Sequence, residues 1–555
     1  MERQTRTPVV ALGLDAADPV LLERYMDGGH LPVLAGLRER GAYARLTTFD
    51  YCRAEASNTT FLTGCSPAKH GYWSPFRFKA DYTCETTPYE FADYQPFYGL
   101  GADYRVAVFD MPQSKLSDTV NGIQILGWGA HSPRCPSHSD PAPLFDEIVS
   151  KHGVHPTLRK DDVHSMGDEA AIERLKQGLE TGVARRAAAC VDLLTRERWD
   201  LFLTYFSEIH SGQHYFWHLS HPDHPLYQYF GKPGRDPLLE LVQAVDRAVG
   251  RILDAVAPGT RVVVFSDHGM ESNTTDVPST VFLPELLYRL GYPGKYGIAK
   301  GTPGTTPPPV MKPLANRSWR STLYGMKHDP NPITRWLRRT MSTERFHYGI
   351  EKRLGMNSVP LCPDDCLLGA QPPMWYHPAW SGMKAFALPS FSEGYVRLNV
   401  RGREASGLVD PADYETVCDE MTAELHKLTD ARTGKPAVRR VVRTRKGPDG
   451  PAMDGERPSD ADLIVIWDNV PIDVVDHPAA GRIGPVPFKR SGSHVHRGFL
   501  MATGPGVPSG EQLPEAHALD IPPTILALLG ADIPQHFDGK PLPVLEGEEP
   551  IRRAG

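Results

Sequence analysis

The chain is punctuated by short apolar runs that end on an acid or lead into imidazoles. Val9–Leu14 runs into Asp15, Leu201–Phe206 into Ser207-Glu208 with His210 and His214 just beyond, and Arg261–Ser266 into Asp267-His268. Short bounded runs rich in Val, Leu and Phe read as buried strands. Segments of helical period lie between them. These are Pro19–Arg40, with Leu21, Leu22, Tyr25 and Met26 at helical spacing and Gly29 as a stop, then Ser57–Leu62 stopping at Gly64, Asp168–Arg196 and Pro237–Ala257. Tyr104–Phe109 reads as a further strand. Such alternation builds a mostly parallel sheet with helices on both faces. Open α/β sheets bind ligands outside the carboxyl ends of their strands. Asp15, His210, His214, Asp267 and His268 are therefore expected along one edge.

The alternation breaks near residue 285. Residues 291–316 are rich in Pro and Gly, and 318–372 are polar, basic and Trp-bearing. The pattern returns at Gly394–Val400, Asp410–Leu428, Leu463–Trp467 and Phe499–Ala502, and in a Pro-started helix over Asp520–Leu529 that ends at Gly530. The expected architecture is an αβα sandwich with a large mixed, mainly parallel central sheet. Its core comes from 1–284 and 385–555, and 285–384 is an inserted cap or lid. At 555 residues, one large unit of this kind fits the length.

Composition removes several classes of function. Lys+Arg 60 against Asp+Glu 67 gives a net charge of −7 without long runs, so no nucleic-acid polymer is expected as partner. No window approaches the roughly 20 apolar residues of a membrane span. The run Val9–Leu14 is too short, and too soon met by Asp15, to be a signal peptide. The 8 cysteines are scattered, with Cys362 and Cys366 the closest pair, which reads as reduced thiols in a cytoplasmic protein. The oligomeric state stays open.

Imidazole and carboxylate together suit zinc and related divalent ions. His210 and His214 are four apart and share one face of a helical turn. A fourth segment, Gly492-Ser493-His494-Val495-His496-Arg497-Gly498, precedes the strand Phe499–Ala502. Taken singly, Asp15 also reads as a helix N-cap and each His as an ordinary polar residue. Four such segments at one edge favour a metal centre.

These residues resemble a known family. The chain looks like the alkaline phosphatase superfamily and, within it, the type I phosphodiesterase/nucleotide pyrophosphatase family. The matching stretches are Gly13 to Pro19; Thr60 to Gly64 with Pro67 and His70-Gly71; Glu208 to His214 with Trp217; Ser266 to Met270; Ser493-His494 with Gly498; Gly504-Pro505-Gly506; and Pro522 to Leu526. Ala385 to Pro389, Arg397-Leu398-Asn399 and Gly402-Arg403-Glu404 also fit. The resemblance implies an alkaline phosphatase-like fold and two divalent metal ions, zinc first, with iron or manganese as alternatives. Asp15, Asp267 and His268 would hold one ion. His214 and His494 would hold the other, with His210 where the family usually has Asp; His496 is a neighbour of His494 that fits less well.

A second departure concerns the attacking group. The family attacks with a Thr, Ser or modified Cys ten residues before the Gly of Thr63-Gly64, and that position here is Ala54. Ser57 is the nearest hydroxyl and also reads as a helix cap. Glu55 is the alternative, as a metal ligand or as the carrier of an attacking water. Asn58 and Lys69 would assist in binding substrate or be structural. Gly127-Trp128-Gly129-Ala130-His131 reads as a pocket wall or a plain loop. Trp319, Arg320, Arg335, Arg338 and Arg339 read as an anion-facing or simply solvated basic face. The implied function is hydrolysis of a small phosphoester, a phosphodiester or a nucleotide-type pyrophosphate. Sulfatase-like, phosphonate-hydrolase or phosphoryl-transferase activity on the same frame are alternatives, as is a non-catalytic metal-binding homologue.

Overall fold

The structure is a computed structural model that describes residues 6–53, 56–129, 136–157, 160–328, 331–333, 336, 368 and 371–545. Its centre is a ten-stranded sheet. The strands that matter here are β1 (Val9–Leu14), β2 (Ala42–Thr47), β3 (Gly101–Phe109), β4 (Val120–Leu126), β5 (His138–Asp140), β6 (Leu201–Phe206), β7 (Arg261–Ser266) and β8 (Arg497–Thr503). Starting from the edge pair Glu511–Gln512, the order is β2, β8, β7, β1, β6, β3, β4, β5. Strands β7, β1, β6, β3 and β4 run parallel, and β8 is antiparallel to both β7 and β2.

The sheet is covered on both faces, and the period of two in its strands assigns each side chain to a layer. Val10, Leu12 and Leu14 of β1 pack with Phe202 and Phe206 of β6 in one layer. That layer includes α1 (Pro19–Asp27), α4 (Glu169–Leu194), α5 (Glu208–Ser220) and α6 (Pro237–Leu253). Val9 and Ala11 face the other way, with Leu201, Leu203, Tyr205 and Phe265. There they meet α3 (Ser57–Thr63) and α8 (Ile521–Leu529). A strand buried on both faces is apolar at most consecutive positions, which is why β1, β6 and β7 read as near-continuous apolar runs.

The segment expected as one helix over Pro19–Arg40 is two. Helix α1 ends at Asp27, Gly29 takes φ +74°, and α2 (Pro32–Glu39) restarts with Pro at its first position. The buried Asp246 of α6 accepts from the backbone N–H of Leu34 at 2.8 Å and of Val33 at 3.2 Å, which fixes the second start. The cap of α1 is Asp18, whose side chain accepts from Leu21 N at 3.0 Å, so Asp15 is not used as a cap.

Helix α7 (Leu283–Gly291) is buried along one side, and the segment that follows it is tied down at a carboxylate. Glu285, fully buried, accepts from Arg289 Nε at 2.6 Å, from the backbone N–H of Gly297 and Ile298 at 3.1 Å, and from the Tyr376 hydroxyl. Residues 297 and 376 are thereby brought to one point. The chain then forms an antiparallel sheet of Ala385–Ala387, Gly394–Leu398, Leu463–Trp467 and Val438–Arg443. Arg335, Arg338 and Arg339 lie outside the described residues. Among the described residues, no helix is long and apolar enough to cross a membrane.

Several imidazoles are buried without charge. Burial pushes His70 and His218 down to about 3 and His224 down to about 4. In the unfolded chain each titrates near 6.5. As pH falls below that value the unfolded state takes up protons that the folded state refuses, so stability is lost toward acid. The loss should approach about 1.4 kcal/mol per pH unit per imidazole. Urea unfolding at pH 7, 6 and 5 should show a steep fall in stability, and His218→Phe should make it shallower.

Candidate metal centre

Three adjacent strands end together. In the parallel register Leu14 pairs with Phe206 and Gly13 with Tyr205 on one side and Phe265 on the other. The next residues along these strands are Asp15, Ser207-Glu208 and, past Ser266, Asp267-His268. Helix α5 begins at Glu208, so His210 and His214 lie on its first turns and turn back over β1. His494 arrives separately, in the strand Gly492–Val495, which pairs antiparallel with Gly269–Ser272 and sets His494 opposite Met270.

All six residues expected as ligands are buried. One nitrogen from each of His210, His268 and His494 lies within 4.8 Å of the others. The His494 ring centroid is 4.8 Å from those of His210 and His268 and 5.2 Å from that of His214. Asp15 Oδ2 is 3.0 Å from His210 Nδ1, and Asp15 Oδ1 is 3.8 Å from His268 Nε2. Asp267 Oδ1 lies 3.1 Å from His268 Nδ1 and accepts the Tyr205 hydroxyl at 2.6 Å. Gly13 makes that last contact possible, because a Cβ there would sit 2.1 Å from the Tyr205 ring.

Asp267 Oδ2, His268 Nε2 and His494 Nδ1 are buried and have no hydrogen-bond partner among the described residues. Orphaned donor atoms of this kind cost free energy unless something else satisfies them. Imidazole nitrogens and carboxylate oxygens are a donor set for a divalent ion. The residues present therefore fit a metal. The local electrostatics agree. Burial opposes charge on His268, but Asp267 and Asp15 outweigh it and raise the imidazole. Burial, with His210, His268, His214 and Arg490 as neighbours, holds His494 well below its ordinary value. Burial and Asp267 push Tyr205 far up, so it stays a hydroxyl and a donor.

Two sets of charged residues behind the centre are not marked by any local pattern in the sequence. Arg186 of α4, fully buried, donates to Asp110 at 2.7 Å and to Glu208 at 2.9 and 3.2 Å. His155 Nε2 lies 3.1 Å from the same Glu208. Burial works to raise Glu208, but Arg186 and His155 outweigh it and hold it down at about 2. The start of α5, and with it His210, is thus fixed to the end of β3. On the other side Arg490 binds Asp276 through Nε at 2.8 Å and NH2 at 3.1 Å, and its NH1 is 2.7 Å from His214 Nε2. The only sequence signal for Arg490 is its closeness to His494.

The remaining candidates are placed as follows. Ser57 is the first residue of α3, and the cap position is Ala56, so Ser57 does not cap the helix. Asn58 follows it, buried, with Oδ1 lacking a hydrogen-bond partner among the described residues. Ala54 and Glu55 lie outside the described residues, as do Ala130 and His131. Lys69 is bound to Asp538 at 2.8 Å. His70 accepts from Tyr72 N at 3.0 Å and meets Thr60 Oγ1 at 3.2 Å, which ties α3 to the turn at Gly71. His496 is not part of the imidazole cluster.

A large mainly parallel sheet between helical layers, with imidazoles and carboxylates at its carboxyl edge, is an alkaline phosphatase-like fold. A quadruple mutant of alkaline phosphatase PafA has this fold at 14% identity, with 97% of this chain and 98% of that one covered and a TM-score of 0.50. The profile described as type I phosphodiesterase / nucleotide pyrophosphatase matches residues 9–300, and the chain belongs to that family. Phosphonoacetate hydrolase from Sinorhizobium meliloti 1021 in complex with phosphonoformate aligns at 13% identity, covering 95% of this chain and 96% of that one, with a TM-score of 0.47. Murine ectonucleotide pyrophosphatase / phosphodiesterase 5 aligns at 12% identity, covering 94% and 95%, with a TM-score of 0.44. A search of curated proteins finds no match. Membership makes the chain a phosphoester hydrolase by family.

The Arg186 network yields a stability test. Arg186→Met strands two buried carboxylates, Asp110 and Glu208, and should cost about 3–5 kcal/mol in urea unfolding.

Proposed function

We propose that the chain is a divalent-metal-dependent hydrolase of small phosphoesters that cleaves a phosphodiester or a nucleotide-type pyrophosphate. What carries the reading is the buried set of His210, His268 and His494 beside Asp15 and Asp267, with orphaned donor atoms, at the carboxyl edge of β7, β1 and β6. Asp15, Asp267 and His268 would serve one ion, and His210, His214 and His494 are the candidates for a second, with zinc the ion expected. A bound divalent ion withdraws charge from phosphoryl oxygens and lowers the pKa of an attacking hydroxyl or water. The chain's own residues do the positioning. Asp15 holds the ring of His210 through Nδ1, Tyr205 holds Asp267, and Asn58 offers a buried amide to the substrate. The described cysteines Cys65, Cys84, Cys190 and Cys418 are free thiols, which supports the cytoplasmic reading. Residues 285–384 are proposed to set substrate choice.

The attacking group is assigned to Ser57, with Glu55 and a water as the competing route. If Ser57 attacks, Ser57→Ala abolishes turnover and a phosphorylated Ser57 peptide is trapped at low pH. If water attacks, Ser57→Ala retains activity and Glu55→Gln loses it. Ala54, in the place of the family's attacking residue, favours one further reading, a homologue that binds metal without turnover. Assays with bis-p-nitrophenyl phosphate, p-nitrophenyl phosphate and p-nitrophenyl sulfate separate these cases, and cleavage of none of them by metal-loaded protein would sink the hydrolase reading.

Asp267→Asn should lower both zinc content and kcat/KM for the cleaved phosphate ester, by about 100-fold or more in the latter. Elemental analysis alongside steady-state kinetics checks both.

A further inference from the structure

The turn that carries Asp15 out of β1 has a backbone its sequence does not favour. Ala17 N donates to the Leu14 carbonyl at 3.1 Å, so Leu14 to Ala17 close a turn with Asp15 and Ala16 at its centre. Ala16 takes φ +56° in the third place, where a left-handed backbone usually calls for Gly. A residue with a Cβ disfavours that conformation and keeps it only where its surroundings enforce it. Two side chains do so here. Gln213 Nε2 donates to the Ala16 carbonyl at 2.7 Å. Ser266 Oγ accepts from Ala17 N at 3.1 Å and donates to the His268 carbonyl at 2.7 Å.

Both clasps come from segments that bear candidate ligands. Gln213 is fully buried on α5, between His210 and His214, and Ser266 ends β7 just before Asp267. The backbone of Gln213 also meets the strand of His494, because a Cβ on Gly492 would sit 2.4 Å from the Gln213 carbonyl oxygen. Gln213 is thus the point where the segments of Asp15, of the two α5 imidazoles and of His494 touch. An amide is a poor choice there for stability alone. Its Oε1 is buried with no hydrogen-bond partner among the described residues, and a half-satisfied buried amide costs free energy. We infer, resting on the divalent-metal reading, that Gln213 is a positioning residue for the centre. By holding the Ala16 carbonyl it keeps the turn left-handed and the Asp15 carboxylate set against His210 and His268 before an ion binds, with Ser266 as the second clasp. Without that bond Ala16 relaxes to a backbone its Cβ prefers, and Asp15 turns away from the imidazoles.

The test is a titration of chelator-stripped, full-length protein with cobalt(II), whose visible absorption reports both affinity and ligand geometry. Gln213→Met, which keeps the bulk and removes the donor, should weaken cobalt binding about tenfold or more and change the absorption band. Ser266→Ala should act in the same direction, and it decides the matter if Gln213→Met does not fold. Ala16→Gly is the rescue, since Gly takes a positive φ at no steric cost. Alone it should leave cobalt affinity within about threefold of the parent, and combined with Gln213→Met it should restore most of the loss. Parent affinity in Gln213→Met, or a loss that Ala16→Gly does not reduce, overturns the inference. So does a lower urea midpoint of stripped Gln213→Met with its cobalt affinity kept, the mark of a purely structural residue. Parent protein that binds no cobalt would sink the divalent-metal reading itself, an outcome that no variant can mimic.

Discussion

The site depends on the parallel register of β6, β1 and β7. Leu14 is set beside Phe206, and Gly13 beside Phe265. A slip of one residue in β1 would exchange its two faces, moving Val10, Leu12 and Leu14 out of one apolar layer and Val9 and Ala11 out of the other. It would also carry Asp15 along its strand, away from His210 and His268. The packing that fixes the fold therefore fixes the donor atoms. Gly13 serves both ends, since the same missing Cβ lets Tyr205 pack against β1 and reach Asp267.

Charge is buried around this centre in a compensated way. Arg186 answers two carboxylates, Asp110 and Glu208, and Arg490 answers Asp276 with two bonds. Buried ions are tolerated when they are paired and hydrogen-bonded, and they are poor contributors of net stability even then. Their value here is geometric. They hold α5 and the loop before His494 at fixed distances from the strand ends, so that the imidazoles are arranged before anything binds. Preorganised dipoles and donors are what a phosphoryl-transfer site needs, because its chemistry is mostly positioning and charge stabilisation.

The parts of this arrangement legible in the sequence are those with a local signature. Strands β1, β6 and β7 were marked by their apolar runs, because burial on both faces makes nearly every position between their ends apolar. The acids and imidazoles after them were legible for the same reason. The break in Pro19–Arg40 was harder to see. The apolar spacing continues across Gly28 and Gly29, and the cap of the second helix comes from Asp246, more than two hundred residues away. Asp15 and Asp18 both sit at the head of α1, and only the backbone geometry tells which one caps it. Arg186 and Arg490 could not be singled out among 60 basic residues, since what distinguishes them is a partner brought in by the fold. Ser57 was legible as a helix start but not as its first turn, a difference of one residue that decides whether its hydroxyl caps the helix.

The carboxylate of Glu285 has a consequence for how freely this protein can vary. By gathering Arg289, Gly297, Ile298 and Tyr376 at one buried point, it holds the two ends of the span between Ile298 and Tyr376 together. Once the ends of a loop are pinned, doubling its length costs only about 0.6 kcal/mol of closure entropy. Within that span the carbonyls of Val310 and Leu314 accept from Tyr229 and Ser165, and Trp319 donates to the Pro487 carbonyl, so change is least costly away from those contacts. If residues 285–384 set substrate choice, as proposed, that choice can change there while the imidazoles and carboxylates at the strand ends stay where the register holds them.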